Sequence, residues 1–330
     1  LPVKKYRICV IYDVHLDTPK GRLEWAYARR ASALKKYAPP DFTVNTFQFS
    51  EMKWDESADY DLIFNLEYTA AIRGRVAHYA PRIPIVYSFN SGSNRKASLW
   101  PMVKAEADWI IFNNLEAFDA SGRPAGTCCI SNGIDSDLWN RYVPIGDREH
   151  RAIWTGSPNP AKGKRYREVL LPLVELAKPE GFDVWLRPVS QVRADQVFTT
   201  EETACWYNSA SYVLMASVSE GTPNYLLEAA ACGAVPICTR TGNVLEFGGD
   251  GFNCIFAEPT PESFLAALIK ARDNREEMSE AAATTMRERW SYGDPGERAA
   301  WFFQLFRRLI QDGAGKIDPF SYHQKHWSNI

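Results

Sequence analysis

Short apolar runs alternate with helically spaced apolar stripes along most of the chain. Tyr6 to Tyr12 reads as a buried strand, and Arg22 to Tyr37 then sets Leu23, Ala26, Tyr27, Arg30, Ala31 and Leu34 at helical spacing. Strand-like runs recur at Phe42 to Phe47, Asp61 to Leu66, Ile83 to Ser88, Trp109 to Phe112 and Thr127 to Ile130, with helical stretches at Ala70 to Tyr79 and Ala97 to Glu106. Strands that alternate with helices imply a mostly parallel sheet covered on both faces.

After Ile130 the pattern breaks at Asn132-Gly133-Ile134-Asp135 and stays irregular through Pro144-Ile145-Gly146-Asp147. It resumes with a strand at Ala152-Ile153-Trp154, a helix from Arg165 to Ala177, a strand from Phe182 to Leu186 and a helix from Glu201 to Asn208. The strand Tyr212 to Ala216, the helix Pro223 to Cys232 and the strand Val235 to Cys238 follow, before helices over Pro261 to Ala271, Asn274 to Trp290 and Pro295 to Ile310. The expectation is an α/β protein of two Rossmann-like domains, residues 1–146 and 147–312, with a tail over 313–330. Doubly wound sheets bind ligands at the carboxyl ends of their strands, so two of them predict a cleft enzyme or a cleft binder.

Composition agrees with a globular chain. Of 330 residues 45% are hydrophobic and 24% charged, which excludes disordered and fibrous classes. The balance of 38 Lys and Arg against 40 Asp and Glu gives a net charge of -2, too little for binding nucleic acid through bulk charge. No apolar run approaches the roughly 20 residues of a membrane span, and Leu1 to Lys5 leads into a strand rather than a signal sequence. A cytoplasmic protein is expected, with peripheral attachment to a membrane surface left open. The cysteines at 9, 128, 129, 205, 232, 238 and 254 form no CxxC pair, and most sit in apolar runs as small core residues.

The segment Ser217 to Pro236 carries the chemistry. Thr222 suits a helix N-cap, Pro223 the first helical position and Gly233 the left-handed residue that ends a helix. Gly221 allows close approach to a helix terminus that favours an anion such as phosphate. A carboxylate beside an anion site does not bind the anion, so Glu220 and Glu228 suit the hydroxyl groups of a polyol such as a sugar.

Glu220 and Glu228, with seven residues between them inside Ser-Glu-Gly-x-Pro-x-x-x-x-Glu-Ala-x-Ala-x-Gly-x-x-Pro, make a segment that resembles the signature of retaining nucleotide-sugar glycosyltransferases of the GT-B fold. The likeness is to glycosyltransferase family 4 in particular, the glycosyl transferases group 1. Ile130 to Asp135, Thr155-Gly156, Lys162-Gly163, Gly242 to Glu246 and Gly251 to Cys254 resemble further elements of that family. The resemblance is strong over residues 127 to 290 and architectural before that.

It implies a GT-B fold with facing domains and a C-terminal helix that packs back toward the first domain. It also implies retaining transfer of a sugar from a nucleoside diphosphate sugar, such as a UDP-sugar, to a hydroxyl acceptor, with no catalytic metal and no further cofactor. Glu220 is then the residue for donor-sugar hydroxyls and Glu228 for the ribose. Gly221, Thr222, Pro223 and Asn224 would meet sugar and phosphates. Lys162 would neutralise the leaving diphosphate, with Lys164 and Arg165 as substitutes, because a fixed cation stabilises charge that develops as the glycosidic bond breaks. Gly156, Ser157 and Gly21 complete the donor-binding set, and Asn90 stands where the family often has a catalytic His. The chain departs from the pattern at Ser157, where an Arg is usual, at Asn90, and around Gly21, where a glycine pair is usual.

The acceptor is least legible. Residues 1 to 146 hold 18 Lys and Arg against 16 Asp and Glu, with basic residues gathered at Lys20, Arg22, Arg29 and Arg30 and at Arg73, Arg75, Arg82, Arg95 and Lys96. An anionic acceptor, a lipid diphosphate or a nucleic acid with a hydroxymethylated base, stays open beside a glycan or small molecule. Trp25, Trp54 and Trp100 are candidates for stacking on a sugar or base. Two other readings also remain open: a sugar-nucleotide epimerase or phosphorylase of this architecture, and a catalytically weak nucleotide-sugar binding protein.

Overall fold

A computed structural model describes residues 5–12, 26–66, 72–89, 100–160, 163–189 and 198–317. The chain divides into two compact units, Leu1–Gly133 with Glu297–Ile330, and Ile134–Gly296.

The first unit is built on six parallel strands in the order β2-β1-β3-β4-β5-β6. They are β1 (Tyr6–Tyr12), β2 (Phe42–Gln48), β3 (Leu62–Asn65), β4 (Ile85–Phe89), β5 (Trp109–Phe112) and β6 (Thr127–Cys129). Helices α1 (Ala26–Lys36), α2 (Arg73–Val76), α3 (Trp100–Glu106) and α4 (Leu115–Ala120) intervene. Alternate strand residues serve opposite faces: Cys9, Ile63, Ile85, Tyr87, Ile110 and Phe112 join one buried cluster with Val76, Val103 and Phe118.

The other face receives the helix Arg298–Asp312, whose buried Ala299, Phe302, Phe303, Phe306 and Leu309 recur at helical spacing. Phe303 packs on Phe42 with ring centroids 4.8 Å apart, and Phe306 on Phe64 at 5.2 Å. Arg307 pairs with Asp41 at 2.7 Å, and Gln311 Nε2 donates to the Tyr6 hydroxyl at 2.6 Å. The chain's last described helix therefore returns to the first sheet, as the GT-B resemblance implies.

The second unit has five parallel strands in the order β11-β10-β9-β7-β8. These are β7 (Arg151–Gly156), β8 (Asp183–Pro188), β9 (Tyr212–Met215), β10 (Val235–Cys238) and β11 (Ile255–Phe256). The helices are α5 (Leu171–Ala177), α6 (Thr200–Asn208), α7 (Asn224–Ala231), α8 (Val244–Phe247), α9 (Pro261–Asp273) and α10 (Arg275–Thr285). Ile153, Val213, Met215 and Cys238 face a cluster with Leu226, Ala282 and Trp290. Their neighbours Ala152, Trp154, Tyr212, Leu214 and Ile237 face Val169, Leu173, Phe264 and Leu268. The sheet is thus covered on both faces, and its order reverses between β7 and β9. That reversal opens a crevice at the carboxyl ends of these two strands.

Several elements differ from the sequence expectation. The unit boundary falls at Gly133/Ile134 rather than near 146, because the intervening stretch is tied into the second unit. Ile134 N donates to Trp290 O and Tyr292 N to Ile134 O, both at 2.8 Å, and Tyr142 N donates to Asn208 Oδ1 at 3.0 Å. The second unit also ends at Gly296, and the helix expected within residues 147–312 counts with the first. The stretch expected as one helix from Arg165 opens instead with a π turn, Tyr166–Leu170, after Arg165 in a left-handed conformation at φ 53°. All seven cysteines are free, and only Cys205 is exposed. Cys128 accepts from Trp109 Nε1 at 3.2 Å within the core.

Arg148 is the main bolt of the tied segment. It is 6% exposed, and its guanidinium donates to Ala210 O and Cys232 O at 2.8 Å each and to Val143 O at 2.5 Å. Burial lowers its pKa to about 10, still a full cation at neutral pH. Arg148→Ala strands three carbonyl groups and should lower the stability of the second unit by about 3 kcal/mol in urea unfolding. Arg151→Ala, whose carboxylate partners lie at the surface, should cost less than about 1 kcal/mol.

Candidate functional site

Of the residues singled out in sequence, Gly156 ends β7 and the Glu220 turn follows β9, so both lie beside the crevice at the ends of these two strands. Strand β9 runs into Ala216-Ser217-Val218-Ser219-Glu220-Gly221-Thr222-Pro223 before α7. Glu220 is 9% exposed. Its Oε1 accepts from the Ser217 hydroxyl at 2.6 Å and from Lys164 Nζ. Its Oε2 has no partner among the described residues. Lys164 reaches Glu220 because Gly163, in a left-handed conformation at φ 65°, accepts Val218 N–H at 3.0 Å and docks its loop on the turn.

Helix α7 begins one residue later than expected. Pro223 occupies the cap position without a side-chain hydrogen bond, and Asn224 N donates to Thr222 O at 2.9 Å. Thr222 does not cap the helix because its hydroxyl is engaged elsewhere: it accepts from Asn243 Nδ2 at 3.1 Å. At the far end Gly233 is left-handed at φ 87°, as the sequence implies. Glu228 is 5% exposed and accepts from the Tyr207 hydroxyl at 3.3 Å, so it is a buried carboxylate rather than a solvated helix residue. Tyr225 donates its hydroxyl to Leu214 O at 2.9 Å, and burial together with the nearby Glu220 charge holds its pKa well above the usual phenol value.

Other predicted residues take definite places. Gly156 ends β7 where a Cβ would lie 2.8 Å from the Trp154 ring, so packing alone demands a glycine there. Ser157 accepts Asn159 N–H at 3.4 Å and supplies no charge. Arg165 is exposed and makes no ion pair among the described residues. Gly21, Asn90 and Lys162 lie outside the described residues. Of the basic groups in the first unit, Arg73 is held by Asp108 at 2.6 Å, Arg75 lies over the Phe49 ring at 5.0 Å, and Arg30 is 3% exposed with its Nη1 on Ser88 Oγ at 2.6 Å. Trp54 packs on Phe49 at 5.5 Å and Trp100 on Phe112 at 5.6 Å, so both serve the core.

Four supporting residues carry no role in the sequence reading: Ser217, Tyr207, Thr239 and Asn243. Thr239 donates to Ser217 O from the end of β10. Ser217 and Asn243 lie inside the two motif segments, which is the one signal that points to them. Beside the Glu220 turn a cavity of about 440 Å³ is lined by Ser217, Thr239, Arg240, Thr241, Phe256 and Glu258. Among the described residues no group of three or more His, Cys, Asp and Glu is arranged to hold a metal ion, and no helix is long and apolar enough to cross a membrane.

Gly242 presses on the same turn from the β10 side. At φ 62° it brings its Cα so close that a Cβ would lie 2.5 Å from Gly221 O and 2.9 Å from Glu220 Cβ. Gly242→Ala should displace the turn and, with the left-handed strain added, cost about 2 kcal/mol or more, read as a lowered melting temperature. Gly251→Ala, also left-handed but with open space around it, should cost less.

Residues 181–274 match the family model described as Glycosyl transferases group 1. No curated protein is significantly similar in sequence. Among solved structures, a sucrose-phosphate synthase from Thermosynechococcus elongatus superposes with a TM-score of 0.68 at 14% identity, covering 93% of this chain and 99% of its own. HepE from Anabaena, in complex with UDP-glucose, gives 0.68 at 15% identity over 91% and 99%. The catalytic domain of starch synthase IV from Arabidopsis thaliana, bound to ADP and acarbose, gives 0.67 at 12% identity over 93% and 99%. The chain has the GT-B fold, and its residues 181–274 match the glycosyl transferases group 1 model.

Proposed function

We propose that the protein is a retaining glycosyltransferase that moves a sugar, most simply a hexose, from a nucleoside diphosphate sugar to a hydroxyl acceptor. The observation that carries the reading is the state of Glu220: a buried carboxylate at the sheet's reversal point, with Oε1 taken by Ser217 and Lys164 and Oε2 left as an acceptor. A hydroxyl of the donor sugar satisfies that oxygen. A bare anion would not, because a second negative charge at hydrogen-bond distance from the carboxylate is repelled, whereas a sugar hydroxyl donates without adding charge. The family match over the same segment and the UDP-glucose held by the HepE neighbour support the donor class.

In this reading Glu228 takes ribose hydroxyls and the start of α7 meets the diphosphate. Lys164 has three protons, of which Glu220 uses one, so the others can turn to a phosphate oxygen. Arg165 follows Lys164 in the chain and adds charge where Ser157 gives none, and Lys162 is a further cation of the same sequence segment. The bond from the anomeric carbon to the diphosphate oxygen breaks, the acceptor oxygen bonds to that carbon on the same face, and the acceptor proton passes to the departing diphosphate. Fixed cations stabilise the charge on the leaving group without a divalent ion.

Incubation with UDP-, ADP- and GDP-glucose and their N-acetylglucosamine and galactose counterparts should show binding of one donor and its transfer or slow hydrolysis. Glu220→Gln should keep the fold and lower turnover at least about 100-fold, and Lys164→Met should lower it about 10- to 100-fold. A protein that binds none of these donors, or a Glu220→Gln variant as active as wild type, contradicts the assignment. Donor binding without any turnover selects the binding-protein reading instead.

A further inference from the structure

Asn243 is 0% exposed at the start of α8. Its carbonyl accepts Glu246 N–H at 3.0 Å within the helix, and its two donor groups both turn to the Glu220 turn. Its backbone N–H donates to Gly221 O at 3.2 Å, and its side-chain amide donates to Thr222 Oγ1 at 3.1 Å. Its Oδ1 is buried with no partner. A buried amide oxygen without a partner is a cost that a smaller apolar residue at this position would avoid. The side chain is therefore retained for its bond to Thr222. If the amide is turned over, the Thr222 hydroxyl remains its partner with donor and acceptor exchanged.

We propose that Asn243 is a positioning residue for donor-sugar recognition: it orients the Thr222 hydroxyl and holds the Gly221 peptide, so that the turn presents Glu220 to the sugar. The proposal rests on the reading of Glu220 as the sugar-facing carboxylate. Two features localise its effect. Gly242, immediately before it, allows no slack between the β10 loop and Glu220-Gly221. Glu228 is fixed separately by Tyr207 on α6, so loosening the turn leaves the ribose side in place. The Thr222 hydroxyl, accepting from the amide, has its own hydrogen directed away from Asn243.

The test is a double-mutant cycle on equilibrium binding, with Asn243→Ala, Thr222→Val and the pair. Each protein is titrated with the nucleoside diphosphate and with the matching nucleotide sugar from the uridine, adenosine and guanosine series. Asn243→Ala should weaken the nucleotide sugar about tenfold relative to the nucleoside diphosphate, and add little in the Thr222→Val background, since both changes break one bond. Equal weakening of both ligands, no weakening of either, or two additive losses would overturn the positioning role. Should Asn243→Ala unfold, Asn243→Ser, too short to reach Thr222 but still polar, gives the same reading. A wild-type protein that binds the nucleoside diphosphates and no nucleotide sugar overturns the donor reading itself, whereas wild-type sugar discrimination that survives in the variants overturns only the role of Asn243.

Discussion

The turn from Glu220 to Pro223 is clamped from two sides, and the arrangement of the second unit's site depends on that clamp. From the β7 side, the Gly163 carbonyl takes Val218 N–H and Lys164 takes one oxygen of Glu220. From the β10 side, Gly242 packs against the Gly221 carbonyl, and Asn243 donates to Gly221 O and to the Thr222 hydroxyl. A carboxylate with one oxygen fully engaged cannot swing, so its second oxygen has a fixed direction. Preorganisation of this kind lets a binding group act without reorganising when charge develops nearby. Both clamps require left-handed glycines, which is why the flanking loops carry Gly163 and Gly242 where a side chain would push the loop away.

The packing beneath the turn explains why it can be rigid. Ala229, Ala230 and Ala231 of α7 are almost fully buried, which lets the helix sit close to the sheet beside Leu226 and Leu227. Arg148 then ties the segment before β7 to carbonyls near α6 and α7. The helix that carries Glu228 is thus anchored along its length, and its start is a stable floor for the turn rather than a free end.

Much of the fold is legible in the sequence because it follows local periodicity. Runs such as Ile8 to Ile11 and Tyr212 to Met215 are buried on both faces and announce parallel strands, and Gly233 announces a helix end. The paired glutamates are legible because their spacing is fixed within one turn and helix. What is not legible involves partners distant in sequence. Lys164 meets Glu220 across 56 residues, and nothing local distinguishes it from Lys162 as the cation that reaches the carboxylate. Thr222 looks like a helix cap until Asn243, 21 residues on, takes its hydroxyl. The break near 146 looks like a linker because it is polar and irregular, while its backbone is held by Asn208 and Trp290, which periodicity cannot pair with it. Arg73 and Arg75 read as a basic surface in sequence, yet a carboxylate and an aromatic ring hold them.

In the proposed function, the second oxygen of Glu220 receives a hydroxyl of a donor sugar. A crystal structure of the protein soaked with the nucleotide sugar it binds measures this directly. A sugar hydroxyl is expected within about 3 Å of Glu220 Oε2, with the ribose at Glu228 and the diphosphate at the start of α7 beside Lys164. A ligand bound with its sugar in the cavity lined by Arg240 and Phe256, or with Glu220 still unengaged, would contradict it.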